Sequence, residues 1–198
     1  HYDEEVDAIL ETLQVMDELR RSGKIRAFGV SNETAWGVMR HVRHAEDHDL
    51  PRVASIQNAY SLLNRAFDIG LAEVAMKEDV GLLAYSALAQ GELSGKYLDG
   101  ATPKGSRRDW YGAAPRYQTP GKEQALRGYL KVAQDFGLDP SAMALQFVTT
   151  RPWVTSNIIG ANGVEQLQTV FSSLEIEMGG ELVKAINAVH AETPNPCP

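Results

Sequence analysis

Cysteine is almost missing from this 198-residue chain. The single one, Cys197, stands beside the C-terminal residue, so no internal disulfide framework can hold the fold. That usage fits a reducing compartment. Long apolar runs are missing too: none approaches the roughly 20 residues of a membrane span, and no signal-peptide pattern opens the sequence. Basic charge is in deficit. Nineteen Lys and Arg against 26 Asp and Glu leave a net charge of −7, which argues against nucleic acid and anionic membrane as partners. The chain opens on His1-Tyr2-Asp3 without a methionine, directly in a helical pattern. The expectation is a soluble, cytoplasmic and incomplete chain.

Several chemical patterns are also missing. No Gly-x-Gly-x-x-Gly follows any strand, which weakens an ordinary Rossmann reading. Ser94 and Ser106 have no histidine nearby in sequence, so a hydrolase nucleophile is unsupported. His41, His44 and His48 fall at helical spacing without the acids or thiols of a metal site. Trp36, Trp110 and Trp153 are too dispersed for a nucleic-acid stacking platform. Cys197, in a proline-rich tail, reads as incidental. Tandem repeats and low-complexity tracts are absent.

What remains is a chain 43% apolar and 23% charged, sized for one globular domain over 1–198. Residues 3–21 place Val6, Ile9, Leu10, Leu13, Met16 and Leu19 on one helical face, with acids at the start and Arg20-Arg21 at the end. A short strand over 25–30 ends in Ser31-Asn32, and a helix runs to about 48. A strand at 53–57, a polar turn and a helix over 67–78 follow. The nearly continuous apolar strand at 80–85 reads as covered on both faces. From about 87 to 120 the periodicity disappears among glycines and prolines, and so long a connection implies binding or closure. Helices then return at 122–136 and from Pro140 to about 150. A strand at 154–159 and helices at 164–174 and 181–190 complete the chain.

Strand–helix alternation of this kind means parallel strands with right-handed crossovers. It fits either an open doubly wound sheet or part of a (β/α)8 barrel, of which four strands supply half. In both, chemistry sits beyond the C-terminal strand ends. Those ends read Ser31-Asn32, Gln57-Asn58, Tyr85-Ser86 and Gly160-Ala161-Asn162. Their amides and hydroxyls suit a neutral polar ligand such as a carboxamide, and Tyr85 adds an aromatic face. Each also serves as a helix cap, but four together favour a ligand mouth. Lys96, in Leu93-Ser94-Gly95-Lys96-Tyr97, and Arg107-Arg108 lie in the long connection, where a phosphate would need them. The turn after the fourth strand leads into a helix N-terminus, which favours anions.

The chain resembles the C-terminal half of an aldo-keto reductase, nearest to the bacterial NADP(H)-dependent branch related to potassium-channel β subunits. The matching runs are Gly23-Lys24-Ile25-Arg26 through Gly29-Val30-Ser31-Asn32, Gln57-Asn58-Ala59-Tyr60-Ser61-Leu62-Leu63-Asn64-Arg65, Ala84-Tyr85-Ser86-Ala87-Leu88, Leu93-Ser94-Gly95-Lys96-Tyr97, and Ile159-Gly160-Ala161 with Glu165-Gln166-Leu167. They cover essentially the whole chain in the family's order. The resemblance implies an α/β fold, the C-terminal half of a (β/α)8 TIM barrel, and NADP(H) as cofactor. It implies that Ser31, Asn32 and Gln57 hold the nicotinamide carboxamide and that Tyr85 stacks on the ring. Ser86, Leu88 and Gln90 would line the pyrophosphate, and Lys96 and Arg107 would approach the phosphates. Gly160, Asn162 and Gln166 would bind the adenosine end with its 2′-phosphate.

Val170 stands where such enzymes usually place an Asn against the adenine, a loss of about 0.5–1.5 kcal/mol. Ala87 replaces a common proline without evident cost. The family's catalytic Tyr, Lys, Asp and His come from its first four strands, which this chain does not contain. His1 falls in the loop entering the family's fourth helix and is not the catalytic histidine. The resemblance therefore implies the cofactor half of a reductase of small aldehydes and ketones, inactive alone. The alternative is a non-catalytic NADP(H)- or partner-binding half-barrel. Bare strand edges and faces further predict self-association, as a homodimer or with a missing N-terminal half.

Overall fold

The computed structural model describes residues 6–198; His1 and the acidic residues 3–5 lie outside the described residues. Helices and strands alternate: α1 (Val6–Arg21), β1 (Val30–Ser31), α2 (Ala35–Asp47), β2 (Ser55–Ala59), α3 (Leu71–Glu78), β3 (Gly81–Tyr85), α4 (Arg107–Tyr111), α5 (Lys122–Asp135), α6 (Pro140–Thr149), β4 (Val154–Asn157), α7 (Val164–Ser173) and α8 (Gly180–Glu192). The strands form one parallel sheet in the order β1-β2-β3-β4. Val30 faces Ile56 and Ser31 faces Gln57. Strand order follows chain order, so β1 and β4 are the edges.

The chain divides into two compact units. The first comprises the described residues up to 58 with 67–84 and 152–156, and the second 59–66, 85–151 and 157–198. In the first, α1 packs on α2 through buried Ile9, Leu13 and Ala45, with Phe28 and Leu50 against them. Thr34 caps α2, its hydroxyl accepting the Gly37 N–H at 3.0 Å. Gly37 is required there, because the buried Glu33 carboxylate occupies the space a Cβ would take. Arg52 links the ends of α2 and α3 through Glu46 at 2.8 Å and Glu78 at 2.9 Å.

Four expectations need correction in this unit. The second strand, expected over 53–57, runs over Ser55–Ala59. The first strand is not six residues long but two. The Phe28 carbonyl still accepts the Ala54 N–H at 2.8 Å, Gly29 follows where the Ser55 carbonyl and hydroxyl leave no room for a Cβ, and regular pairing starts only at Val30. A glycine in a strand bonded on one side weakens it. The helix expected over 67–78 breaks at Gly70, whose φ of 81° no helix accepts. And the two faces of β3 are unequally covered: Leu82 and Ala84 are buried, while Gly81, Leu83 and Tyr85 are half-buried.

In the second unit the core lies among α5, α6 and α8, around Leu126, Tyr129, Met143, Phe147, Leu182 and Ile186. Asp139 caps α6 through the Ala142 N–H at 2.8 Å, with Pro140 in its first turn. The tail is tied down: Asn195 Oδ1 accepts the Arg65 N–H at 2.6 Å and the Cys197 N–H donates to the Leu63 carbonyl at 3.1 Å. Cys197 is fully buried, and burial pushes its thiol pKa up, so it packs and stays protonated. The connection expected to lack structure contains helical turns at Ala89–Ser94, Leu98–Gly100 and Pro115–Tyr117 besides α4. Leu93, Tyr97 and Tyr117 anchor them in the core.

Tyr129 is the weak point of this core. Its hydroxyl is buried without a hydrogen-bond partner, and burial lifts its pKa to about 12, against a small opposing effect of Arg65. In the unfolded chain it would ionise near pH 10. Between roughly pH 10 and 12 the unfolded state therefore holds fewer protons, and stability falls as pH rises, by on the order of 2–3 kcal/mol. Tyr129→Phe removes both the orphan hydroxyl and this titration. It should raise stability by about 1 kcal/mol at neutral pH and by more at pH 11, as thermal unfolding at the two pH values would show. A variant no more stable than wild type at either pH would contradict this.

Candidate functional site

In the first unit, three expected residues meet at the end of β1, with Gln57, expected to end the second strand, lying in the middle of β2. The Ser31 hydroxyl donates to the Gln57 carbonyl at 2.9 Å and accepts from Asn32 Nδ2 at 3.2 Å. The Asn32 N–H also donates to the Gln57 carbonyl, at 2.9 Å, and Asn32 has a φ of 56°, a left-handed conformation that Asn tolerates better than most residues. All three side chains are exposed. The Gln57 side-chain amide makes no hydrogen bond among the described residues, so one amide and one fixed hydroxyl face outward together. Asn58, the next residue, turns back instead: its Nδ2 donates to the Glu33 carbonyl at 3.2 Å.

In the second unit the chain leaves β3 through an unusual turn. Ser86, Ala89, Gln90 and Gly91 have φ values of 58°, 49°, 57° and 97°, three of them in side chains that pay about 1 kcal/mol or more for that conformation. Successive N–H groups in such a turn form a concavity suited to anions. The Pro115–Tyr117 turn holds the first two residues. The Arg116 guanidinium donates to the Tyr85 phenol, which raises the already high Arg116 pKa, and Tyr117 is hydrogen-bonded to Ser86. Burial pushes the Tyr117 phenol up, with Ser86 and Arg116 opposing. Leu88 is half-buried, and its carbonyl accepts the Gly91 N–H at 2.8 Å.

The cations around this turn fall into two groups. Glu92, 3% exposed, binds Arg108 at 2.7 Å and Lys122 at 3.1 Å, and Arg108 also donates to the Tyr97 carbonyl at 3.1 Å. Arg127 is held by Glu123 and Asp99. Lys96 and Arg107, by contrast, have no carboxylate partner among the described residues. Arg107 Nε donates to Gln90 Oε1 at 3.2 Å. The end of Lys96 lies over Gly91, where a Cβ would sit 3.1 Å from its Cε and 3.4 Å from its Nζ. Two uncompensated positive charges therefore converge on Gln90-Gly91. Gly91→Ala would force the Lys96 and Tyr97 side chains apart in a backbone that favours glycine. A stability loss of about 1–2 kcal/mol is expected, measurable by thermal unfolding; an unchanged midpoint would refute the geometry.

The residues after β4 make a third cluster. Gln166 Oε1 accepts the Asn162 N–H at 2.9 Å. Residues 162–166 line one side of a cavity of about 550 Å³, with Gly105 and Trp110 on the other. Gly160, expected to join them, is exposed and does not line this cavity. Sequence reasoning missed Glu92, Trp110, Arg116 and Tyr117. The last two carried a faint signal, an aromatic-basic pair after Pro115 within a glycine-rich connection. Glu92 carried none, because burial of a charge is invisible without the partners that surround it.

Comparison with known proteins agrees with this architecture. The model of the aldo/keto reductase family matches residues 1–191. Protein tas of Escherichia coli is 48% identical over 191 residues, covering 96% of this chain and 55% of its own length. A putative voltage-gated potassium channel subunit beta of Schizosaccharomyces pombe is 31% identical, over 93% of this chain and 56% of that protein. The solved glycerol dehydrogenase of Gluconobacter oxydans superposes with a TM-score of 0.76 at 27% identity, over 98% of this chain and 58% of that one. The chain spans about half the length of the curated relatives it matches, and its four strands and helices correspond to that part of a (β/α)8 barrel. Among the described residues no helix is long and apolar enough to cross a membrane, and no cluster of His, Cys, Asp and Glu could hold a metal ion. The chain belongs to the aldo/keto reductase family.

Proposed function

We propose that this chain binds NADP(H) as the cofactor-holding part of a carbonyl reductase. The observation that carries the reading is the pair of uncompensated cations, Lys96 and Arg107, converging on the left-handed turn at Gln90-Gly91. A dinucleotide diphosphate supplies the missing negative charge, and the turn's N–H groups supply donors. Ser31, Asn32 and Gln57 offer the hydroxyl and amides that complement a carboxamide. Tyr85, its phenol held by Arg116, presents a ring for the nicotinamide to stack on. Asn162 and Gln166 serve the adenosine end.

When bound, the cofactor supplies a hydride to a carbonyl carbon. The residues identified here bind and orient; none stands as the acid that protonates the resulting alkoxide, a role worth roughly 10²–10⁴-fold in rate. This chain by itself is accordingly expected to bind NADPH without reducing small aldehydes or ketones at an appreciable rate. The test is NADPH emission during titration with the chain. Enhanced, blue-shifted emission saturating in the micromolar range supports the reading, and unchanged emission from a folded chain overturns it.

A second property has its own support. β1 and β4 are sheet edges, and α7 with its C-terminal cap exposes Val164, Phe171 and Leu174 at 71%, 66% and 58%. Open edges and apolar helix faces invite pairing. We propose that a second copy covers them in a symmetric dimer. Sedimentation equilibrium at micromolar concentration should give a mass near twice that of the chain, and a monodisperse monomer would contradict it.

A further inference from the structure

We propose that Trp110 is the platform on which the adenine of the cofactor stacks. The inference rests on the NADP(H) reading and adds a binding residue to it. Trp110 lies in α4, and its side chain is 59% exposed, so its ring face is accessible to a ligand. It faces the cavity of about 550 Å³ whose opposite side is formed by residues 162–166, a volume within the usual range for small-molecule sites. That opposite side offers side-chain amides, which suit the ring edge of a base.

The ring has an aromatic neighbour. Tyr111 meets Trp110 edge-on, with ring centroids 6.5 Å apart and planes at 85°. The short helix is fixed at its start by a reciprocal cap: the Ser106 hydroxyl accepts the Asp109 N–H at 3.3 Å, and Asp109 Oδ2 accepts the Gly105 N–H at 2.7 Å. Trp110 is thus presented on a braced element, not on a free loop.

The spacing within α4 ties the platform to the charge cluster. Arg107, bonded to Gln90, stands three residues before Trp110, and side chains at that separation are neighbours on a helix, about 5–6 Å apart at Cβ. A nucleotide whose phosphates engage Arg107 therefore has its base within reach of Trp110. Adenine, rather than a peptide side chain, fits because the phosphate end is already specified by Lys96 and Arg107.

The test uses the whole chain, adenosine 2′,5′-bisphosphate as a probe of the adenosine end, and reduced nicotinamide mononucleotide as a probe lacking it. Adenosine 2′,5′-bisphosphate should quench part of the tryptophan emission of the wild type. In Trp110→Phe that quenching should vanish although Trp36 and Trp153 remain, while affinity falls only two- to threefold. In Trp110→Ala the affinity for adenosine 2′,5′-bisphosphate and for NADPH should fall by roughly 5- to 100-fold, with that for reduced nicotinamide mononucleotide unchanged. A wild type that binds NADPH and a Trp110→Ala variant that binds the bisphosphate equally well would overturn this inference alone. A wild type that binds neither would overturn the NADP(H) reading, and this inference with it. Because Trp110 is exposed, both variants should keep the wild-type circular dichroism spectrum, so a loss of binding is not a loss of fold.

Discussion

The Lys96→Met, Arg107→Met double variant should bind NADPH at least 100-fold more weakly than the wild-type chain. A hydrogen bond to a charged group contributes about 1.5–3 kcal/mol, and two such cations facing one diphosphate give on the order of 3 kcal/mol or more. The single variants should each lose about tenfold. Methionine keeps an unbranched apolar stem at both positions while removing the charge. Neither cation is engaged in an ion pair, and the variant should therefore unfold at the wild-type temperature. That combination separates a binding role from a structural one. Arg127→Met provides the control: its ion pairs with Glu123 and Asp99 are exposed and contribute little, and its loss should leave NADPH affinity unchanged. If the double variant binds NADPH as tightly as the wild type, these two residues do not face the phosphates.

Glu92→Gln should have the opposite profile, a large loss of stability. The Glu92 carboxylate is buried and neutralises two cations that are themselves nearly buried, Arg108 at 11% and Lys122 at 13% side-chain exposure. Removing one member of such a group leaves uncompensated charge in a poorly solvated place, at a cost of about 3 kcal/mol. For a chain of this size that corresponds to a fall in melting temperature of about 10 °C. The consequence reaches the proposed site. Arg108 crosses the connection to the Tyr97 and Ala101 carbonyls, and its neighbour Arg107 is the residue bonded to Gln90. Proteolysis within residues 98–121 should accordingly be faster in Glu92→Gln than in wild type. A melting temperature within about 3 °C of wild type would show that the ion cluster does not hold this segment.

These two outcomes rest on features that differ in how far the sequence reveals them. The alternation of strands and helices, the caps at Thr34 and Asp139, and the polar residues at strand ends follow from local chemistry and are legible in the chain. So is the presence of Lys96 and Arg107 in a glycine-rich connection. That Lys96 and Arg107 have no carboxylate partner among the described residues, while Arg108 and Lys122 are neutralised, is not legible, because it depends on a glutamate that sequence shows as one more charge. The first strand was overestimated for a similar reason. Residues 25–30 satisfy the strand pattern, yet regular pairing is limited to Val30 and Ser31, after a glycine that weakens the strand. The long connection looked structureless because its turns use left-handed residues such as Gln90 and Asp99, which periodicity does not report. Trp110 shows the same limit: its place in a row of three dispersed tryptophans says nothing, and its place beside a cavity says a good deal.

The central claim is that this chain holds NADP(H). Calorimetric titration with NADPH, repeated with NADH, tests it most directly. The account predicts one site per chain with micromolar affinity and a preference for NADPH. No detectable heat from a chain whose circular dichroism shows it folded would contradict it.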